Sequence, residues 1–318
     1  MRAGMVPVSP PEEQGIPDPD RGEMEDLLHF AITHSNLTLL REMATTGTKL
    51  DPSEITQVLD AMHEADRLFY ECVNRTLILR NWESVEETIA AINYMLDYGN
   101  HLVDKADLIH KKGALTPLID LILSPSPDMA VYLKLLELTV DISQNRETAQ
   151  LLLLQARPSL VGDVVDLAVG STDDEQSAAL VSVVNSIIGG NTDIQAGIDD
   201  SVLNTLVGMW DRADPKSTVF VRLITTFRIL AAETASLSRG WVRLVDMPRI
   251  LSEVGSLNLF VGDRVLAVMT KLSPQIDEIA RGAIAEARLR LHAQCIQERG
   301  NGDEICSTWK SSNHSDEL

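Results

Sequence analysis

The sequence predicts an all-α fold, a stack of repeating helical units. Three observations predict it. Asp120, Asp128 and Asn145 recur as Asp166, Asp174 and Asn191, each 46 residues on (166 − 120, 174 − 128, 191 − 145). A fainter third copy keeps Leu118, Val164 and Leu206 in register, the last step being 42 (206 − 164). The core must also be aliphatic, because hydrophobic residues make up 44% of the 318 and aromatic ones only 4%. A period of roughly 40–47 in a helical pattern is that of armadillo or HEAT units. Such units stack into a right-handed α-solenoid that binds partners along one face.

The elements follow in order. Residues 1–22 hold Pro7, Pro10, Pro11, Pro17 and Pro19 among several acids, and read as a disordered arm with no apolar signal region. Residues 23–82 read as N-terminal flanking helices. In the first, Leu27, Leu28, Ala31 and Ile32 form one apolar stripe. The next has Asp51 as a cap, Pro52 at the first helical position and Glu54 three residues after the cap. Ile55, Val58, Leu59 and Met62 follow as its buried face. A further helix runs to about Leu79, with Phe69, Val73, Leu77 and Leu79 as its apolar positions.

Residues 83–298 read as the repeats with a closing helix. Gly113 permits a tight turn ahead of Leu115, Leu118, Ile119 and Ile122. After the turn Ser124–Asp128, a long third helix spans about Met129–Ser143. The second unit has the same plan: Leu160–Val169, a turn, then Glu175–Ile188. The third runs Val202–Trp210 and Ser217–Glu233, and a fourth spans Trp241–Ser273. Gln275–Glu298 is a polar capping helix, which an end unit without a neighbour requires. Residues 299–318 read as a flexible tail.

Net charge is −20 and the isoelectric point about 4.7. Phosphate repulsion argues against nucleic acid and anionic membranes, and a basic protein surface is the more natural partner; simple solubility also accounts for the charge. No run approaches the roughly 18 apolar residues of a membrane span, so no membrane insertion is expected.

Cys72, Cys295 and Cys306 contain no C-x-x-C pair. Cys295 and Cys306 can pair in an oxidising compartment, yet the lack of a framework favours free thiols. Phosphate-loop, dinucleotide, nucleophile-elbow and zincin motifs are all absent. The histidines lack ligand spacing, so neither metal nor cofactor is expected. Asp173-Asp174-Glu175 and Asp199-Asp200 sit at helix starts, where acids favour the helix dipole rather than catalysis. The chain is therefore expected to be a monomeric binding protein, not an enzyme.

Third helices line the groove of armadillo units. Aligning them by the 46- and 42-residue steps gives three rungs: Lys134/Leu180/Arg222, Glu137/Val183/Thr225 and Asp141/Ile187/Ile229. With Asn145, these supply the candidate contacts Lys134, Glu137, Asp141, Val183, Ile187, Arg222, Thr225 and Ile229. Val183, Ile187 and Ile229 also fit ordinary core.

Three stretches carry a resemblance. Leu27–Ser35 is similar to the Leu-x-x-Ala-Ile helix that opens the armadillo-type nucleotide-exchange factors of DnaK-type heat-shock chaperones (the Fes, Sil and chaperone-binding-protein family). Asp51–Met62 resembles the acidic helix that follows it. Ile142-Ser143-Gln144-Asn145-x3-Ala149-Gln150 resembles that family's Ser-Gln-Asn…Gln signature, and Ala106-Asp107-Leu108 leading to Gly113-Ala114-Leu115 also fits. The likeness covers about residues 24–235. It departs at Val103-Asp104-Lys105, at Ser159-Leu160-Val161 and at Gly189-Gly190-Asn191. The resemblance implies a co-chaperone whose concave face clasps one lobe of the chaperone's ATPase domain. By favouring a distorted, nucleotide-free arrangement it would release ADP. The alternative is an adaptor that binds a peptide or protein without exchange activity.

The closing Ser315-Asp316-Glu317-Leu318 resembles the tetrapeptide that returns proteins to the endoplasmic reticulum. That favours the reticulum lumen over the cytoplasm, and BiP as the chaperone.

Overall fold

The computed structural model describes residues 52–98, 104–124, 126, 128–144, 146–232, 240–254, 257–272, 278–299 and 306. The arm, the Leu27–Ser35 helix, Asn145, and the tail from 307 on with Ser315–Leu318 lie outside them. All regular structure among the described residues is helical.

The chain divides into two compact units, residues 1–69 with 98–103, and residues 70–97 with 104–318. In the first, the described part is the N-terminal portion of α1 (Pro52–Val73) and Tyr98. Phe69 is fully buried and stacks on Tyr98 with ring centroids 4.2 Å apart. The Tyr98 hydroxyl donates to the Asp66 carboxylate.

The second unit begins at Tyr70, and the residues just after α1 pack within it. Residues Asn74–Leu79 form a π-helical turn that packs on α4 of the first repeat and buries Leu77. Arg80 closes that turn with φ +55°, a left-handed conformation. The reversal leaves Leu79 54% exposed, so it does not belong to the core stripe expected of it.

The helices that follow are α2 (Val85–Asp97), α3 (Lys105–Lys111), α4 (Leu115–Leu123) and α5 (Met129–Ser143). Then come α6 (Glu147–Ala156), α7 (Leu160–Gly170), α8 (Asp174–Ile188) and α9 (Thr192–Gly197). The series ends with α10 (Asp200–Arg212), α11 (Thr218–Leu230), α12 (Met247–Ser252), α13 (Leu259–Leu272) and α14 (Glu278–Arg299), with a 3-10 turn at Gly240–Leu244.

Side chains written in the sequence start these helices. Asp104 accepts from the Asp107 amide, Asp128 from Val131, Asp173 from Gln176, Asn191 from Ile194 and Ser217 from Phe220. Each satisfies one of the amides that a helix start leaves unpaired. Gly113, at φ +69°, makes the expected turn into the first repeat.

The helices form two layers. The long third helices α5, α8, α11 and α13 pack side by side in one; α4, α7, α10 and the 3-10 turn stack in the other. Leu, Ile and Val fill most of the space between, with the rings of Tyr132, Trp210, Phe220 and Phe227 fully buried among them. Trp210 is fully buried, and its ring stacks on Phe227 at 4.4 Å. This is an armadillo-like α-solenoid. The closing helix α14 buries Ile284, Ala287, Leu291 and Cys295 and packs on α12 and α13.

Cys295 and Cys306 are joined in a disulfide, against the expectation of free thiols. Both are buried, so the fold brings residue 306 back onto α14. Cys72 is the free cysteine.

Candidate functional site

The register of the third helices decides which side chains reach the groove. The 46-residue echo pairs Asp128 with Asp174, but the cap of α8 is Asp173. Asp128 and Asp173 are 45 apart, one residue fewer than the echo (173 − 128). With that step the burial patterns of α5 and α8 coincide: Leu138 falls on Val183 and Ile142 on Ile187, and all four are fully buried. Val183 and Ile187 are therefore core, out of reach of any partner, and their assignment to the groove is corrected.

Other predicted residues divide three ways. Arg222, Thr225 and Ile229 line a groove of about 360 Å³ on the third-helix layer. Lys134 and Glu137 stand on the surface of α5, and the Lys134 ammonium meets the Glu137 carboxylate at 2.7 Å. That pairing spends the Lys134 charge locally.

Asp141 faces inward instead. Its carboxylate takes the Nζ of Lys105 at 2.7 Å, and the same ammonium donates to the Leu96 carbonyl. Lys105 is 0% exposed, and the Asp141 side chain 20%. Asp141 is thus the counter-ion of a buried lysine and not a free contact residue. A buried ammonium demands such a partner, because an unpaired charge in the interior costs several kcal/mol.

Sequence reasoning missed Val140, Gln144, Ser182 and Asn185, which complete the groove together with Gly189 and Arg228. Advanced by 45, Val140 becomes Asn185 and Gln144 becomes Gly189, so one strip continues from α5 to α8. The Asn185 amide donates to the Arg222 carbonyl at 3.1 Å and so fixes the α8–α11 spacing.

Beneath the groove runs a buried polar seam. The hydroxyls of Ser143 and Ser186 share a hydrogen bond of 2.7 Å. The Gln150 amide donates to the carbonyls of Ser186 and Gly189, at 2.9 and 2.7 Å. Gln195, 45 residues after Gln150 (195 − 150), bonds within its own unit instead, donating to the Ile188 carbonyl at 2.9 Å. The residues of the Ser-Gln-Asn…Gln stretch thus have distinct places. Ser143 and Gln150 lock two units together, and Gln144 lies at the groove.

Arg222 and Arg228 are exposed, and no partner for either guanidinium is found among the described residues. In a chain of net charge −20, the groove therefore carries two uncompensated cations on α11. Guanidinium groups recognise carboxylates in fork geometry. The groove offers donors for binding, and no nucleophile with a base beside it. Among the described residues no cluster of His, Cys, Asp and Glu could hold a metal ion. Among them too, no helix is long and apolar enough to cross a membrane.

Comparison with known proteins supports the fold. The chain is similar to a designed armadillo repeat protein, YIII(Dq)4CqI, at TM-score 0.50 and 15% identity, over 77% of this chain and 96% of that one. A second designed armadillo repeat protein, YIII(Dq.V1)4CPAF in complex with peptide (KR)4, aligns at TM-score 0.49 and 17% identity, over 81% of this chain and 96% of that one. No protein-family model and no curated protein matches the chain.

Proposed function

We propose that this protein is a nucleotide-exchange factor for a DnaK-type heat-shock chaperone, binding the ATPase domain through the groove of α5, α8 and α11. The observation that carries the reading is where the family-like residues fall. Ser143 and Gln150 set the junction of the first two units, and Gln144 lies on the groove that this junction shapes. Groove and resemblance meet at Gln144, with Ser143 and Gln150 supporting the groove from beneath. Arg222 and Arg228 would anchor an acidic patch of the chaperone lobe, and Thr225 and Ile229 would pack beside them. Exchange requires tighter binding to the open, nucleotide-free lobe arrangement than to the closed one, since equal affinity shifts nothing.

A lumenal setting belongs to the same proposal, with BiP as the chaperone. The Cys295–Cys306 disulfide supports an oxidising compartment, where such bonds persist.

The test is release of fluorescent ADP from purified chaperone. Catalytic acceleration is expected, and Arg222→Glu/Arg228→Glu is expected to slow it at least tenfold while the helical circular dichroism is retained. No acceleration at stoichiometric excess overturns the exchange reading. Binding without acceleration assigns the groove to an adaptor instead.

A further inference from the structure

A second cleft, of about 440 Å³, opens among α6, α7, α9 and α10, outside the third-helix groove. Its walls are apolar: Leu151, Leu154 and Val202 line it, and Leu151 is 40% exposed although it sits in the middle of α6. Glycines keep the cleft open. At Gly162 a Cβ would already approach Val202 Cγ2 at 3.3 Å, whereas at Gly197 a Cβ would meet nothing within 4 Å.

Four carboxylates surround this apolar floor, and their states differ. Asp163 is committed, held by Arg157 Nε and Ser159 Oγ at 2.8 Å each. Asp166, Asp193 and Asp199 have no partner among the described residues; Asp199, although it stands at the cap position of α10, makes no side-chain cap bond. Apolar floor and unpaired acidic rim together define the complement.

We infer that this cleft docks a polypeptide segment in which lysine or arginine residues flank one apolar side chain. The apolar side chain covers Leu151 and Leu154, and the cations meet Asp166, Asp193 and Asp199. Phosphate-bearing ligands are excluded by the sign of the rim. The site shares no residue with the third-helix groove, so the inference stands whatever that groove binds.

The experiment measures fluorescence anisotropy of labelled eight-residue peptides on the full chain at about 0.15 M salt. The peptides carry Lys-Leu-Lys, Lys-Gly-Lys or Glu-Leu-Glu at the centre, with otherwise equal composition. The Lys-Leu-Lys peptide is expected to bind, and the other two at least tenfold more weakly. Asp166→Asn/Asp193→Asn/Asp199→Asn is expected to weaken it about tenfold, as loss of several exposed ion pairs together allows. Gly197→Leu, which fills open space and suits a helix, is expected to block it with the fold intact. The control Asp60→Asn/Glu86→Gln/Glu175→Gln removes the same charge elsewhere and is expected to leave binding within twofold. Equal weakening by the control assigns the effect to net charge and overturns the inference. So does indifference to Gly197→Leu, equal binding of the Lys-Gly-Lys peptide, or no binding at all.

Discussion

Lys105 and Asp141 make a quantitative prediction possible. The ammonium is 0% exposed and has two acceptors, the Leu96 carbonyl and the Asp141 carboxylate. In Asp141→Asn only neutral oxygens remain beside the Lys105 Nζ. Breaking a buried pair from one side costs about 3–5 kcal/mol. The lower figure, about 3 kcal/mol, applies here, because the Asp141 side chain is 20% exposed and an asparagine oxygen can still accept. Lys105→Met is milder, about 1–2 kcal/mol, since the carboxylate left behind reaches water. Adding Asp141→Asn in the Lys105→Met background should cost under about 1 kcal/mol, which makes a coupling of about 2 kcal/mol. Urea denaturation measures all four proteins, with unchanged slopes as the condition for comparing them. A coupling below about 0.5 kcal/mol would refute the account of Lys105 as a buried, charge-dependent lysine. The same variants separate direct from indirect roles in binding. Lys105→Met lies behind the groove, so any loss of partner affinity that it shares with Asp141→Asn reports displaced α5 and not a lost contact.

Three further outcomes are expected. Cys306→Ser, or reduction of the disulfide, should destabilise the α14 end by about 3 kcal/mol, since the bridge closes a loop with a sequence separation of 11; unfolding monitored with and without reductant measures it. Trp210→Ala should cost about 3–5 kcal/mol, whereas Trp210→Phe should cost under about 1.5 kcal/mol, because its buried indole nitrogen has no acceptor to lose. Burial pushes the Asp211 carboxyl above the usual range, outweighing the Asp246 amide bond and the nearby Arg249. The folded state therefore holds that proton more tightly than the unfolded one, and stability falls as pH rises through the raised value. Asp211→Asn, which keeps an oxygen for the Asp246 amide, should melt higher than the parent at pH 7, with the gap closing toward pH 4.

Much of this architecture was legible because it is local. The turn at Gly113 and the aliphatic stripes at helical spacing depend on neighbours a few residues away. What escaped was set by contacts between distant segments. The one-residue slip arose because Asp173 and Asp174 are adjacent acids, either able to cap, and only packing of α8 between α5 and α11 chooses. That choice moved Val183 and Ile187 into the core and brought Asn185 to the groove. Lys105 opens a helix with a polar side chain and reads as surface; its burial depends on Leu96 and Asp141, which are 9 and 36 residues away. The Cys295–Cys306 bridge depends on the chain returning to α14, which no spacing rule states.

The polar seam beneath the groove has a consequence for how such a chain can change length. Ser143 bonds to Ser186, Gln150 to two carbonyls of the next unit, and Asn185 to Arg222. Each seam is keyed to its own neighbour, and no two keys are alike. Excising the middle unit would bring Ser143 against α11, where by the 44-residue step between the caps Asp173 and Ser217 (217 − 173) Leu230 stands in for Ser186 and offers no hydroxyl. The units are therefore not interchangeable bricks. Drift within these units has to proceed by paired substitutions across a seam.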